Sequence, residues 1–167
     1  QERVEIEPNM TAGELHDQLM YTGADLLVKT GEAIAAGDYP LLDQVGLLAG
    51  REPKHAPKIF KEDMKVDWTL GVDAIFNHIR GLSPFPTAWT EFRNKKNGEV
   101  VSLKIFETER IVKDHGKDVG LSTDNKTYLD VLVEGGVIRI KELQLSGKKR
   151  MKTEEFLRGF HIEDYSL

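Results

Sequence analysis

From residue 88 onward, apolar and polar side chains alternate with a period of two, and this pattern constrains the fold more than any other feature. Successive side chains of a β-strand point to opposite faces, so the alternation predicts strands that bury one face. The Asn-Gly pair at 97–98 and the Gly-Gly pair at 135–136 predict tight turns between neighbouring strands. Because closure removes exposed strand edges, we predict a small antiparallel barrel in a mainly β fold with flanking helices. The predicted strands are residues 88–92, 99–112, 127–134 and 137–145.

The alternation also predicts which side chains form the core of this barrel. One apolar set on the longer strands faces inward, where removal from water stabilises the fold. After the last strand, a short helix is predicted with Thr153 as its N-cap. The side chains predicted to be buried are Leu103, Ile105, Val131, Val133, Ile138 and Ile140.

The N-terminal part of the chain has a different pattern. Alternating apolar and charged residues predict a short strand over residues 3–8. Thr11 and Glu14 have the spacing of a helix capping box, and Gly37 is placed to end the long helix that follows. One strand and one helix cannot close a core, so residues 1–38 are predicted to be the C-terminal remnant of a larger α/β domain.

Between these parts, residues 39–67 show no sustained periodicity and are interrupted by prolines and glycines. Such a long irregular segment predicts an interdomain linker. A second helix is predicted to begin after Asp67 as N-cap and to end at Gly81, which opens a barrel domain of residues 68–167. Its predicted apolar face comprises Leu70, Ile75, Phe76 and Ile79.

The formal net charge of −5 conceals an uneven distribution of charge along the chain. Residues 1–50 have nine acids and two bases, whereas residues 51–61 have four bases and one acid. Residues 139–158 have seven bases and three acids. This asymmetry is typical of a nucleic-acid contact confined to one face, and its alternative is ordinary solvated charge.

The sequence offers little for catalysis or metal binding. The 167 residues include no cysteine, which excludes a disulfide framework, a thiolate metal site and a cysteine nucleophile. The five histidines stand apart, without the spacing of a metal motif. No apolar run approaches the roughly 20 residues of a membrane span, and no signal peptide is recognisable. We therefore expect a cytoplasmic protein without a membrane partner, a metal site or a catalytic set in this chain.

Three separated segments resemble the C-terminal half of the methionyl-tRNA formyltransferase family. They are "APKIFKEDMKVDW" at 56–68, "IFNHIRGLSPFPTAWTEF" at 75–92 and "GVIRIKELQLSGKKRMKTEEFLRG" at 136–159. The segment "TAGELHDQLMYTGADLL" at 11–27 resembles the last helix of that family's catalytic domain. The segments occur in the family's order and at about its distances, so the resemblance covers essentially the whole chain.

This resemblance implies a function. The family's enzymes transfer a formyl group from 10-formyltetrahydrofolate to methionyl initiator tRNA in translation initiation. Their Rossmann-like N-terminal domain holds the folate and the catalytic Asn, His and Asp, and their OB-type C-terminal barrel binds tRNA. The family's catalytic residues precede the part represented here. This chain is therefore expected to be an inactive fragment that binds no folate itself, and a monomer is the family expectation.

The resemblance and the charge pattern together make two groups of cations and one separate arginine candidates for contacts with tRNA phosphates. Lys58 and Lys61 lie in the linker. Arg80 ends the second helix, where a cation would also interact favourably with the helix dipole. The second group, the basic turn, follows the last long strand and comprises Lys148, Lys149, Arg150 and Lys152.

The aromatic residues near these cations are predicted to be mainly structural. Ile59, Val66 and Trp68 are expected to anchor the linker to the barrel. A second aromatic set has two interpretations, because its rings could stack on bases or pack in the core, and the core is favoured. That set is Phe85, Trp89 and Phe92.

Two other functions stay open from the sequence. The motifs "KVDW" and "IRGLSPFP" also resemble those of sugar-nucleotide formyltransferases, whose C-terminal half needs no tRNA-sized basic face. An independent OB-type nucleic-acid-binding module is the third possibility. The basic turn favours the tRNA enzyme over the sugar-nucleotide enzyme, and the acidic N-terminal part disfavours the independent module.

Overall fold

A computed structural model describes all 167 residues of the chain. It contains four α-helices, seven β-strands and two short 3-10 helices, Glu62–Met64 and Ile162–Asp164. None of the helices combines the length and apolar character that crossing a membrane requires. The α-helices are α1 (Ala12–Ala36), α2 (Gln44–Leu48), α3 (Val72–Leu82) and α4 (Thr153–Leu157). The strands are β1 (Ala88–Asn94), β2 (Val100–Val112), β3 (Gly120–Thr123), β4 (Leu129–Val133), β5 (Gly136–Leu145), β6 (Met151–Lys152) and β7 (Tyr165–Ser166).

The seven strands form one antiparallel sheet that curls into a nearly closed barrel. The strand order is β3-β4-β5-β2-β1-β7, and β6 pairs with β5. The C-terminal segment bridges the two edges of this sheet. Strand β7 pairs with β1, while the Asn125 amide, just after β3, donates a hydrogen bond to Glu163 at 2.5 Å. The predicted mainly β class and barrel architecture are confirmed.

The barrel core consists of the inward-facing side chains of the four long strands and the helices that cover them. All six side chains predicted from the alternation are buried, with at most 1% of their surface exposed. They pack in one contiguous cluster with the apolar face of α3 and with Phe156 and Leu157 of α4. The predicted core of the barrel is therefore confirmed.

Helix α3 differs from its prediction at both ends. It begins at Val72 with Gly71 as N-cap and ends at Leu82. Asp67 instead accepts hydrogen bonds from the backbone N–H and hydroxyl of Thr69, at 3.0 and 2.7 Å, and so shapes the turn before the helix. Leu70 is outside the helix and exposed. The buried residues of α3 are Val72, Ile75, Phe76, Ile79 and Leu82.

Two further local predictions were wrong, and three short strands were missed. Residues 3–8 form no strand, because no neighbouring strand is available to pair with their backbone groups. Thr153 does not cap α4, since its hydroxyl donates to the Ile140 carbonyl at 2.6 Å and Lys152 takes the N-cap position without a side-chain cap. The short strands β3, β6 and β7 were not predicted from the sequence, because two to four residues give no readable alternation.

Helix α1 forms as its end signals predict. Thr11 and Glu14 make the capping box, with the Thr11 N–H donating to the Glu14 carboxylate at 2.7 Å. This hydrogen bond lowers the pKa of Glu14. Gly37 ends the helix in the left-handed conformation at φ 73°. None of the residues of α1 is buried, although Leu19, Leu27 and Ile34 recur at helical spacing.

This contrast predicts how amide protection is distributed. The strands of the barrel surround a buried core, so their opening requires near-global unfolding, whereas α1 buries no side chain. Hydrogen exchange followed by mass spectrometry is expected to give much faster exchange in residues 12–36 than in β4 and β5. Slower exchange in α1 than in these strands would contradict this prediction.

Candidate nucleic-acid interface

The basic turn follows β5, at the end of the barrel where β2 begins. Three hydrogen bonds hold the turn in place: Ser146 N–H to the Ser102 carbonyl at 3.0 Å, Lys148 N–H to the Leu145 carbonyl at 2.9 Å, and Gln144 Nε2 to the Lys148 carbonyl at 2.7 Å. Gly147 takes a positive φ of 75°, a conformation that favours glycine. The turn is therefore an ordered support for its cations.

The four cations of the basic turn divide into two pairs. Arg150 donates to the Glu142 carboxylate and stacks over the Phe106 ring, with 4.3 Å from its guanidinium carbon to the ring centroid. Lys152 lies 3.3 Å from a Glu107 carboxylate oxygen and 3.7 Å from Glu142. By contrast, the side chains of Lys148 and Lys149 are exposed and have no acidic partner. An incoming phosphate would meet uncompensated charge only at this second pair.

A β-bulge explains where Arg150 is held. The pairing of β2 with β5 shifts register between Ile105 and Thr108. Bulges re-aim side chains, and this one lies beside Phe106, the ring beneath Arg150. Neither Glu107 nor Glu142 was singled out from the sequence, because a partner in a neighbouring strand cannot be read without the register.

The linker lysines lie around a second aromatic side chain, Trp89. The indole N–H of Trp89 donates to the Lys61 carbonyl at 2.9 Å. The ammonium groups of Lys61 and Lys65 lie 5.3 and 5.0 Å from the centre of the ring, and Lys65 also pairs with Glu91 at 2.6 Å. Lys58 lies farther out, 5.5 Å from the centre of the exposed Phe60 ring. The structure thus brings Lys61 to the barrel surface at Trp89. Trp89 lies opposite Lys104, and Lys104 lies opposite Gln144, whose side chain holds the basic turn.

The predicted anchors of the linker are partly confirmed. Val66 and Trp68 are buried, and the Trp68 indole N–H donates to the Thr90 hydroxyl at 2.8 Å. Ile59 is exposed, so its predicted anchoring was wrong. Among the three rings expected in the core, Phe92 is fully buried, Trp89 is half-buried, and Phe85 is 84% exposed. The prediction was wrong for Phe85 because the turn around it points the ring outward.

Arg80 is half-buried and lies in the last turn of α3. Its guanidinium donates to the Met10 carbonyl at 2.7 Å and, more weakly, to the Glu7 carbonyl at 3.4 Å. Its Nε donates to Asn77 at 2.8 Å. These contacts join α3 to the segment before α1, and they satisfy most of the hydrogen-bonding capacity of this side chain.

An open groove of about 1260 Å³ separates the start of α1 from the barrel. Three arginines line it, and each already donates hydrogen bonds within the chain. Arg80 donates to backbone carbonyls, Arg110 to the Asp73 carboxylate, and Arg150 to the Glu142 carboxylate. The lining also includes the acids Glu14, Asp17, Glu107 and Glu109. The groove is therefore mixed in charge. No three His, Asp or Glu side chains of the chain converge as they would around a metal ion.

The fold and this surface define a small antiparallel barrel domain that displays cations on its turns. Residues 58–161 match the family model described as "Formyl transferase, C-terminal domain". The chain belongs to this family, as its separated motifs indicate.

Curated relatives agree with this assignment. A protein of Phocaeicola vulgatus named methionyl-tRNA formyltransferase is 44% identical over 166 residues, which are 98% of this chain and 51% of the relative. Proteins of the same name from Bacteroides fragilis and Azobacteroides pseudotrichonymphae are 42% and 45% identical over 98% and 95% of this chain. The chain spans about half the length of these curated relatives.

Solved structures with a similar fold include variants of HypX from Aquifex aeolicus. One aligns with a TM-score of 0.63 and 14% identity over 96% of this chain and 28% of HypX. Another aligns with a TM-score of 0.58 and 15% identity over 98% of this chain and 30% of HypX. At this identity the likeness concerns the fold alone.

Proposed function

We propose that this chain is the tRNA-binding C-terminal part of a methionyl-tRNA formyltransferase, which formylates methionyl initiator tRNA in translation initiation. The observation that carries this proposal is the match to relatives of that name over 98% of the chain. In this proposal the parent enzyme is a cytoplasmic monomer and takes its formyl group from 10-formyltetrahydrofolate. Folate binding and the chemical step belong to the catalytic half.

The proposed division of the chain follows from its resemblance and its burial. Residues 1–38 would end the catalytic domain, residues 39–67 would form the linker, and residues 68–167 would form the tRNA-binding domain. The exposed apolar side chains of α1 fit this division, because such a helix would pack on the rest of a larger α/β domain. The end of the linker already lies on the barrel, since the Val66 N–H donates to the Trp89 carbonyl at 2.9 Å.

The cations would contribute to tRNA binding unequally. Lys148 and Lys149 would make the main phosphate contacts of the barrel, because their charge is not compensated within the chain. Arg150 and Lys152 would contribute less, since a phosphate would have to compete with Glu142 and Glu107. Lys58 and Lys61 would add contacts from the linker. Phosphate contacts of this kind supply affinity and orientation but read no base sequence.

A chimaera tests the proposed function directly. We expect the 167-residue chain alone to form no formyl-methionyl-tRNA, because the resemblance assigns the catalytic Asn, His and Asp to the other half. Joined to the N-terminal half of the Phocaeicola vulgatus relative, the chain should restore formylation well above that of either half alone. The measurement is the yield of formyl-methionyl-tRNA with 10-formyltetrahydrofolate, and the intact relative is the positive control.

Two outcomes of this assay would contradict the proposal. Turnover by the isolated chain clearly above the blank would contradict the assignment of the catalytic residues. A folded chimaera that formylates an amino-sugar nucleotide, but not methionyl-tRNA, would favour the sugar-nucleotide class instead.

A further inference from the structure

Helix α1 begins directly on the loop that follows α3. The Gly13 N–H donates to the Ser83 carbonyl at 3.0 Å. A Cβ atom added at Gly13 would lie only 2.4 Å from Cδ and 3.3 Å from Cγ of Pro84. Separations under 3.0 Å are not tolerated, and the proline ring has no flexible end that could move aside. Glycine is therefore required here for the close approach of helix and loop.

Arg80 provides a second connection at the same place. Its guanidinium reaches the Met10 carbonyl, one residue before the N-cap Thr11, at 2.7 Å. The loop itself is tied to the barrel, because the Ser83 hydroxyl donates to the Phe106 carbonyl at 2.7 Å. A continuous set of contacts thus runs from the start of α1 through the loop to strand β2.

No buried surface elsewhere on α1 supplements this attachment. None of its 25 residues is buried, and the helix extends away from Gly13 with Leu27 and Val28 exposed by 73% and 62%. The direction of α1 therefore depends on the few contacts at its first turn. The capping box keeps this turn helical, so that the Gly13 N–H stays directed at Ser83.

We propose that Gly13 and Arg80 form a joint that fixes the orientation of the N-terminal segment relative to the barrel. Arg80 is then a positioning residue, and its main role is to hold the joint and not to bind phosphate. The consequence for catalysis rests on the proposed function. In the parent enzyme, the joint sets the distance between the catalytic half, attached through α1, and the cations that hold tRNA on the barrel.

The absence of cysteines allows a direct test on the chain itself. Spin labels are introduced through Glu32→Cys on α1 and Lys126→Cys on the barrel, both at exposed positions, and their distance distribution is measured by double electron–electron resonance. The parent should give one narrow peak. Gly13→Ala and, separately, Arg80→Met should replace it with a broad, shifted distribution. Arg80→Met keeps the aliphatic stem of the side chain and removes the guanidinium.

Gly23→Ala is the matched control. It lies in the same helix, makes the same glycine-to-alanine exchange, and has no atom within 4 Å of its added Cβ. The control should keep the narrow peak. Barrel integrity is checked by hydrogen exchange of β4 and β5. If Arg80→Met unfolds the barrel, the distance distribution of Gly13→Ala alone tests the proposed joint. A narrow, unshifted peak for Gly13→Ala would overturn the proposed joint.

A kinetic readout separates the joint from the proposed function. Within the active chimaera, Gly13→Ala should lower kcat about tenfold or more, because small misplacements of reacting groups slow catalysis strongly. The tRNA affinity of the 167-residue chain should not change. The distance measurement needs no tRNA, so a broadened peak with no tRNA binding would support the joint and contradict only the proposed function. An unchanged kcat for Gly13→Ala in the chimaera would overturn the proposed role of the joint in catalysis.

Discussion

Replacing both Lys148 and Lys149 by glutamate is expected to weaken tRNA binding by the isolated chain at least about thirtyfold at low salt. Each lost contact between close unit charges in water is worth about 1 kcal/mol, and two contacts give about 2 kcal/mol, or roughly thirtyfold in affinity. Repulsion between the new carboxylates and the phosphates adds to this loss. Initiator and elongator tRNA should lose the same factor, because phosphate contacts carry no sequence. The measurement is the anisotropy of fluorescently labelled tRNA titrated with protein.

The matched control is Lys113→Glu with Lys117→Glu. These two lysines are exposed, have no acidic partner and follow the opposite end of β2, and their replacement changes the net charge by the same amount. Lys95 and Lys96 are unsuitable, since they hold the C-terminal segment through the Glu163 carbonyl at 2.9 Å and the Asp164 carboxylate at 2.6 Å. Equal losses of tRNA affinity in both double variants would mean that binding depends only on the net charge of the chain and not on the position of the lysines.

Truncation of Ile105 to alanine is expected to destabilise the chain by about 2–5 kcal/mol, the usual range for deleting a buried aliphatic side chain. Ile105 is 0% exposed and lies in the strand that pairs with both β1 and β5. Leu27→Ala on α1, where the side chain is 73% exposed, should change stability by less than about 0.5 kcal/mol. The two variants therefore separate the barrel core from the exposed helix.

Urea denaturation followed by tryptophan fluorescence measures both free energies of unfolding, because Trp68 is buried against the barrel. The control is the parent chain under the same conditions. If Leu27→Ala lowered the free energy of unfolding as much as Ile105→Ala does, the assignment of the core would be contradicted. It would mean that α1 contributes to the cooperative unit as strongly as the strands do.

The barrel was predictable because its long strands alternate consistently over many residues. Ile138 and Ile140 are two apart and both face inward, so the pattern alone identified them. Residues 3–8 also alternate, but they form no strand, because this chain offers them no partner strand. Alternation specifies a face to bury and does not supply the neighbour that a strand requires.

The candidate site was predictable as a set of cations and not as a geometry. The sequence identifies Lys148, Lys149, Arg150 and Lys152 together, yet their pairing with acids depends on the register of β2, β5 and β6. Gly13 shows the same limit. It appears as an ordinary residue of a helix, and its contact with Pro84 joins positions 71 residues apart in sequence. Only the folded chain brings such pairs together.

The proposed binding of tRNA phosphates by the barrel and linker is best tested through its salt dependence. The logarithm of the association constant should fall linearly with the logarithm of salt concentration, by about 0.9 per neutralised phosphate on duplex regions. Lys148→Glu with Lys149→Glu should reduce this slope by about 2, and Lys113→Glu with Lys117→Glu should leave it unchanged. No binding of tRNA even at low salt, or one slope shared by all three proteins, would contradict the account.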